Sequence, residues 1–153
     1  MIEIKKVTNF DMAKDCDSLL TKLIQSERRF DKNTKETFVV SDNYTKKFGD
    51  SDKVLYLACD GDISIGFIYG FIKHEKGELV HDTVAHIDAL YVSDGYRGKG
   101  IASDLIHTFY DWCKNNDVKF VTIGVYKNNI DAYNLYYKEG FDTDTYYMTK
   151  ELL

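Results

Sequence analysis

One stretch limits the possible folds of this chain more than any other: Gly95-Tyr96-Arg97-Gly98-Lys99-Gly100-Ile101-Ala102. Before it, Ala85 to Val92 alternates like a strand; after it, Ile101, Leu105, Ile106, Phe109 and Trp112 recur at helical spacing. A glycine-rich turn between a strand and a helix lets the backbone take positive φ and brings N–H groups close to a ligand. The helix adds its positive end, and Arg97 and Lys99 add full charges, so the loop suits phosphate oxygens. Two well-known phosphate loops do not fit. A Walker A loop needs four residues between its glycines and Ser or Thr after the Lys, but only two separate Gly95 from Gly98 and Gly100 follows Lys99. A dinucleotide fingerprint starting at Gly98 would need a third glycine where Ser103 stands. A glycine turn without a ligand is the bland alternative.

The rest of the chain supplies a sheet for that loop. Ile2 to Val7 reads as an opening strand, and Met12, Cys16, Leu19, Leu20, Leu23 and Ile24 mark one face of a helix from about Phe10 to Arg28. The polar stretch Asp31 to Asp52 suggests a short helix near Tyr44 to Phe48. Val54 to Cys59 and Ile63 to Lys73 flank the turn Asp60-Gly61, a strong hairpin signal. A turn at Glu75 to Gly77 leads to a third strand from about Val80 to Val92. Strict alternation there places His86 and Asp88 on one face, with Leu90 and Val92 further along it. Val118 to Tyr126 reads as a strand covered on both faces, Ile130 to Lys138 as a helix capped by Gly140, and Asp142 to Leu152 as a closing strand. Strands and helices in this order make a mixed α/β fold, one domain over residues 1–153.

Composition agrees with one globule. The 153 residues are 44% hydrophobic and 14% aromatic, enough for a core, and carry a formal charge of −5. That balance argues against a nucleic-acid partner. No apolar run nears a membrane span and no signal peptide is visible, so no membrane partner and a cytoplasmic location are expected. Cys16, Cys59 and Cys113 are too scattered for a disulfide framework, and His74, His81, His86 and His107 show no metal spacing, so no metal is expected.

Arg97-Gly98-Lys99-Gly100-Ile101-Ala102 resembles the Arg/Gln-x-x-Gly-x-Gly/Ala signature of the GNAT superfamily of acyl-CoA-dependent N-acyltransferases. Ile87 to Val92 is similar to that family's fourth strand, and Asn129-x-x-Ala132-x-x-Leu135-Tyr136-x-Lys138-x-Gly140-Phe141 to its second signature region. The likeness runs from about Val54 to Phe141. Asp94 departs from it, standing where the family often has Pro and adding a negative charge near the phosphates. The resemblance implies a central, mostly antiparallel mixed sheet of six or seven strands flanked by about four helices.

It also implies roles. Backbone groups of Leu90, Tyr91 and Val92 would pair with the pantetheine arm of acetyl-CoA, and those of Arg97, Gly98, Lys99, Gly100, Ile101 and Ala102 would hold the pyrophosphate, with Ser103 adjoining. Asn129 would bond the pantetheine or simply cap its helix. Tyr136 falls at the general-acid position, with Tyr137 the alternative, and Asp88 or His86 would take the amine proton or, for Asp88, bind a cationic acceptor. Glu27 lies in the region that lines the acceptor pocket. With no cysteine at a nucleophile position, the expected reaction is direct attack of a primary amine on acetyl-CoA in a ternary complex. The acceptor is a small molecule or a peptide, and the tyrosine-rich end of the chain leaves a homodimer open. A non-catalytic acyl-CoA-binding module and, more distantly, an NAD-dependent dehydrogenase are the competing readings.

Overall fold

The computed structural model describes residues 1–74 and 83–153. Its elements run β1 (Ile2–Lys6), α1 (Phe10–Ser26), short 3₁₀ turns at Glu27–Arg29 and Tyr44–Lys46, β2 (Lys53–Asp60), β3 (Ile63–His74), β4 (Thr83–Val92), α2 (Ile101–Asn115), β5 (Phe120–Ile123) and α3 (Ile130–Lys138). The strands form one sheet in the order β1-β2-β3-β4-β5. The first three pairings are antiparallel, whereas β4 and β5 run parallel because α2 crosses between them.

Each element has a local cause. Asn9 caps α1, its Oδ1 accepting the Met12 N–H at 2.9 Å. The β2–β3 turn works because Gly61 adopts φ 60°. Helix α1 lies on one face of the sheet, where Ala13, Cys16 and Leu19 pack with Leu55, Leu57, Phe67, Tyr69, Ala89 and Tyr91. Helix α2 covers the other face, burying Ile101, Leu105, Ile106, Phe109 and Trp112 against Val54, Ile65, Ile68, Ala85, Ile87 and Val92. The buried Asp17 fastens the segment after α1 to that helix, accepting the Tyr44 N–H at 2.7 Å and the Asn43 N–H at 3.2 Å.

Four expectations need correction. Among the described residues the sheet has five strands rather than six or seven, and there are three α-helices rather than about four, the stretch near Tyr44 being a single 3₁₀ turn. The run Val118 to Tyr126 contributes only Phe120–Ile123, since Val121 and Ile123 pack on the α2 cluster while the other face is exposed. Asp142 to Leu152 forms no strand; among the described residues it pairs with none of the five strands of the sheet.

The fourth correction concerns β4. Tyr69 pairs with Ala89 but Gly70 with Ile87, which leaves Asp88 as an extra residue in the ladder, a β-bulge. The alternation reverses there. Ala85 and Ile87 face α2 before the bulge, and Ala89 and Tyr91 face α1 after it. Leu90 and Val92 therefore pack on the α2 side, opposite the face on which the His86 ring meets Phe71 at 5.6 Å. The Asp88 carboxylate acts electrostatically on the His86 imidazole. The turn at Glu75 to Gly77, His81 and the start of the third strand lie outside the described residues.

Candidate active site

Among the described residues, strands β4 and β5 pair over Val84–Ile87 and Phe120–Ile123. Beyond Ile87, β4 continues to Val92 without β5 beside it, and a cavity of about 610 Å³ occupies the gap. Its walls are Ile87 to Val92, the glycine loop, the first turn of α2, Ile123 at the end of β5 with Gly124, one face of α3, and the end of α1 with Glu27, Arg29 and Phe30. Of the residues expected from sequence, Glu27, Asp88, Leu90, Tyr91, Val92, Arg97, Gly98, Gly100, Ile101, Ala102, Ser103, Asn129 and Tyr136 line it. His86 and Lys99 do not appear in that wall; the His86 Nδ1 lies 2.8 Å from the Thr122 hydroxyl, and the Lys99 ammonium sits 5.5 Å over the Tyr96 ring.

The loop is shaped by its glycines and fixed by its side chains. Gly100, the N-cap of α2, has φ 82°, and Gly98 has φ 75°, conformations that a side chain would strain. The Arg97 Nε donates to the Val92 carbonyl at 2.8 Å, and its guanidinium lies 3.3 Å from the Asp94 carboxylate. The charge of Asp94 is thus matched locally. Tyr96 donates to Asp60 at 2.9 Å, tying the loop to the β2–β3 hairpin. This leaves the N-terminus of a fifteen-residue helix opening into the cavity, the arrangement that favours anionic oxygens.

Opposite the loop, α3 places two groups. Asn129 is the N-cap, its Oδ1 accepting the Ala132 N–H at 3.2 Å, so the capping role is fulfilled in addition to its place in the wall. Tyr136 packs edge-on against Phe141 at 6.0 Å, and burial, with Glu27 adding to it, pushes its phenol up to about 12. Tyr137 instead stacks on Tyr133 at 6.4 Å, is 65% exposed, and is absent from the wall. Burial, then Asp31, raises the Glu27 carboxyl above the usual range. Burial, then Lys73, lowers the His86 imidazole despite the opposing pull of Asp88. Asp88 acts on Tyr44 and Tyr69 of the α1 side, adding to the burial that raises both phenols.

All three cysteines are buried and free, none lies in the cavity wall, and burial raises the thiols of Cys16 and Cys113. Among the described residues no three His, Cys, Asp or Glu side chains gather as a metal would require. Among the described residues no helix is long and apolar enough to cross a membrane.

Two features of the site carried no readable motif. At its rim Phe30 stacks on Tyr126 at 6.1 Å and Tyr126 donates to Asp31 at 3.2 Å, joining residues 95 positions apart. Behind the loop, Glu139 accepts from Ser103 and lies 2.5 Å from the His107 Nε2, clamping the end of α3 to α2. Only the 3.6-residue spacing of Ser103 and His107 on α2 hinted that they share a face.

Comparison with known proteins follows the same lines. The family model described as the acetyltransferase (GNAT) family matches residues 18–141. A curated relative, the uncharacterized N-acetyltransferase YobR of Bacillus subtilis (strain 168), is 34% identical over 62 residues, covering 40% of this chain. That match spans only 25% of YobR's own length. Among solved structures, a mutant of the BH1408 protein from Bacillus halodurans superposes with a TM-score of 0.86 at 15% identity, covering 99% of both chains. AAC(6')-Iy in complex with the bisubstrate analogue CoA-S-monomethyl-acetylneamine superposes with a TM-score of 0.75 at 13% identity, covering 100% of this chain and 99% of that one.

Proposed function

This chain belongs to the acetyltransferase (GNAT) family, and we propose that it transfers the acetyl group of acetyl-CoA to a primary amine by direct attack in a ternary complex. The observation that carries this reading is one cavity bounded by the unpaired half of β4, a glycine loop at a helix N-terminus, and a protonated phenol. The free backbone edge of Leu90, Tyr91 and Val92 suits an extended pantetheine, which would add to β4 as a strand does. The loop from Arg97 to Ala102 suits the pyrophosphate, with Ser103 and Asn129 beside it. AAC(6')-Iy, an aminoglycoside N-acetyltransferase also solved with CoA, supports a CoA donor and a small-molecule amine acceptor.

The acid–base groups divide between donor and acceptor. Tyr136 would donate toward the departing sulfur while the new C–N bond forms and the C–S bond breaks. An alkylammonium with pKa about 10.4 is a poor nucleophile near neutral pH, and working from its rare neutral form costs about 4 kcal/mol. We assign the proton acceptor to Glu27, whose carboxyl is raised toward neutrality and which acts electrostatically on Tyr136 across the cavity. Asp88, a second carboxylate of the wall, on β4, would hold the cation. His86, outside the wall and bonded to Thr122, would act only by supporting Asp88. The burial of all three cysteines, which raises the thiols of Cys16 and Cys113, favours direct attack over an acyl-enzyme.

Thermal melting with acetyl-CoA, CoA and NAD, each in excess, tests the donor assignment. A ligand at about 100 times its dissociation constant adds roughly 2.7 kcal/mol of stability. The expected result is an upward shift with both CoA species and none with NAD. No shift with any CoA species would overturn the reading.

A further inference from the structure

Tyr136 stands on an element that burial barely anchors. Helix α3 spans nine residues and buries none of them completely, and an isolated helix of that length does not hold itself in water. What seats it is a contact at its end. The Glu139 carboxylate, only 7% exposed, accepts from the Ser103 hydroxyl and lies 2.5 Å from the His107 Nε2, and the Glu139 carbonyl accepts from the Tyr110 hydroxyl at 3.0 Å. Ser103, His107 and Tyr110 recur about once per turn, so one stripe of α2 carries all three. Tyr110 also meets the Phe141 ring at 6.2 Å, and Tyr136 packs on that same ring. Of these three, Ser103 alone lines the cavity, in the first turn of α2, where the helix end draws anionic oxygens.

We propose that Ser103 and Glu139 are positioning residues through which the donor's pyrophosphate sets the seating of α3, and with it of Tyr136. The inference rests on the reading of the glycine loop as the pyrophosphate site. A serine hydroxyl has one proton to donate. In the structure that proton goes to Glu139. A pyrophosphate oxygen at the α2 N-terminus is a second anionic acceptor for it, and hydrogen bonds to charged oxygens are the strong ones. Once Ser103 turns to the phosphate, the Glu139 carboxylate draws on His107, about 6 Å further along α2 from the loop. Nearly excluded from water, the carboxylate cannot replace the lost donor with solvent and follows His107. The last turn of α3, which carries Tyr136, moves with it. Part of the pyrophosphate's binding energy thus goes into orienting the acid rather than into affinity. Glu139 itself stands outside the cavity wall, so its influence on how pyrophosphate is read passes through Ser103.

Two donors test the proposal: acetyl-CoA, and S-acetylpantetheine, which carries the same thioester arm without the pyrophosphate and adenosine. Each is assayed on the full chain, extrapolated to saturation, with one primary amine as acceptor. The native kcat should be about tenfold higher with acetyl-CoA, the lower end of what one hydrogen bond to a charged group is worth. Ser103→Ala and Glu139→Gln should both bring that ratio near one, and Ser103→Thr, which keeps the hydroxyl, should preserve it. A merely structural role for Glu139 would lower both rates together and leave the ratio standing. A second readout needs no turnover. CoA should change hydrogen exchange over residues 130–138 of the native chain, pantetheine should not, and the CoA effect should vanish in Glu139→Gln. Equal native rates with the two donors, a ratio that survives Glu139→Gln, or bound CoA that leaves α3 exchange unchanged would overturn the proposal. Thermal melting separates the two failures: a CoA shift without these effects leaves the acetyltransferase reading standing without the relay, whereas no CoA shift ends both.

Discussion

Replacing Tyr136 by Phe removes one oxygen and leaves the ring. The edge-on contact with Phe141 at 6.0 Å depends on the ring alone, so stability should change by less than about 0.5 kcal/mol. The rate is another matter. With its pKa pushed up to about 12, the phenol is protonated throughout the working range of any amine transfer. A CoA-type thiol has a pKa near 8.5, so full proton transfer from a phenol at about 12 to the thiolate is uphill by several kcal/mol. In the proposed reaction Tyr136 would therefore stabilise the developing thiolate mainly by hydrogen bonding. That places its contribution at the low end of general-acid effects, about 10²-fold, or about 2.7 kcal/mol of barrier.

The assay is steady-state transfer to a reactive amine at saturating acetyl-CoA. The expected result is a kcat lowered about a hundredfold with KM for acetyl-CoA nearly unchanged. The deficit should shrink with an acyl donor whose thiol leaving group has a lower pKa, since less charge then needs help. The native enzyme should show no loss of rate from Tyr136 ionisation until pH approaches 12, because burial keeps the proton on. A variant within twofold of native kcat, or a deficit insensitive to the leaving group, would make Tyr136 a packing residue and refute the reasoning.

Three further substitutions probe the rest of the site. Glu27→Gln should lower kcat/KM sharply; because the folded-state carboxyl lies above 4.5, its contribution to stability is present below that pH and lost as pH rises through the raised value, so the variant should melt higher than native at pH 7 with the gap closing toward pH 4.5. An equal gap at both pH values in calorimetry would count against it. Gly100→Ala meets open space but must adopt φ 82°, which should cost about 1–2 kcal/mol in chemical denaturation and weaken CoA binding; an unchanged midpoint would show that the loop tolerates another conformation. Glu139→Gln should cost about 1–3 kcal/mol at pH 7 and slow transfer by loosening α3. Ser103, then His107, hold that carboxyl below 4.5, so its stabilisation is present above 4.5 and fades as pH falls through the lowered value; the melting difference should shrink in acid.

What could be read from the sequence was local. The glycine loop, the cap at Asn129 and the hairpin at Asp60-Gly61 each depend on a few consecutive residues, and all three stand where their chemistry requires. The pairing of Tyr136 with Glu27 was different: one residue follows α1 and the other lies on α3, and only the fold shows that they act on each other. Tyr136 and Tyr137 could not be separated by type, but their burial separates them at once. The segment after Phe141 has the composition of a closing strand and forms none. Strand propensity describes fit to a pleated surface and does not supply one.

The bulge in β4 was also beyond the sequence, and it decides how the site is divided. Period-two alternation is the rule by which strand faces are assigned, and one extra residue reverses it without leaving a mark in composition. Across from the bulge stands Gly70, where a Cβ would lie 2.8 Å from the His86 carbonyl and strike the Phe109 ring, so only glycine lets β3 and α2 approach there. Unbroken alternation would place Leu90 and Val92 on the face of His86, away from α2 and the glycine loop that follows β4. With the bulge, they seat on the α2 cluster beside that loop, and Asp88 acts toward α1, whose end carries Glu27. A single inserted residue thus sends the side chains of Leu90 and Val92 to the α2 side of the sheet while Asp88 acts toward the α1 side, and both ends of that stretch still line one cavity.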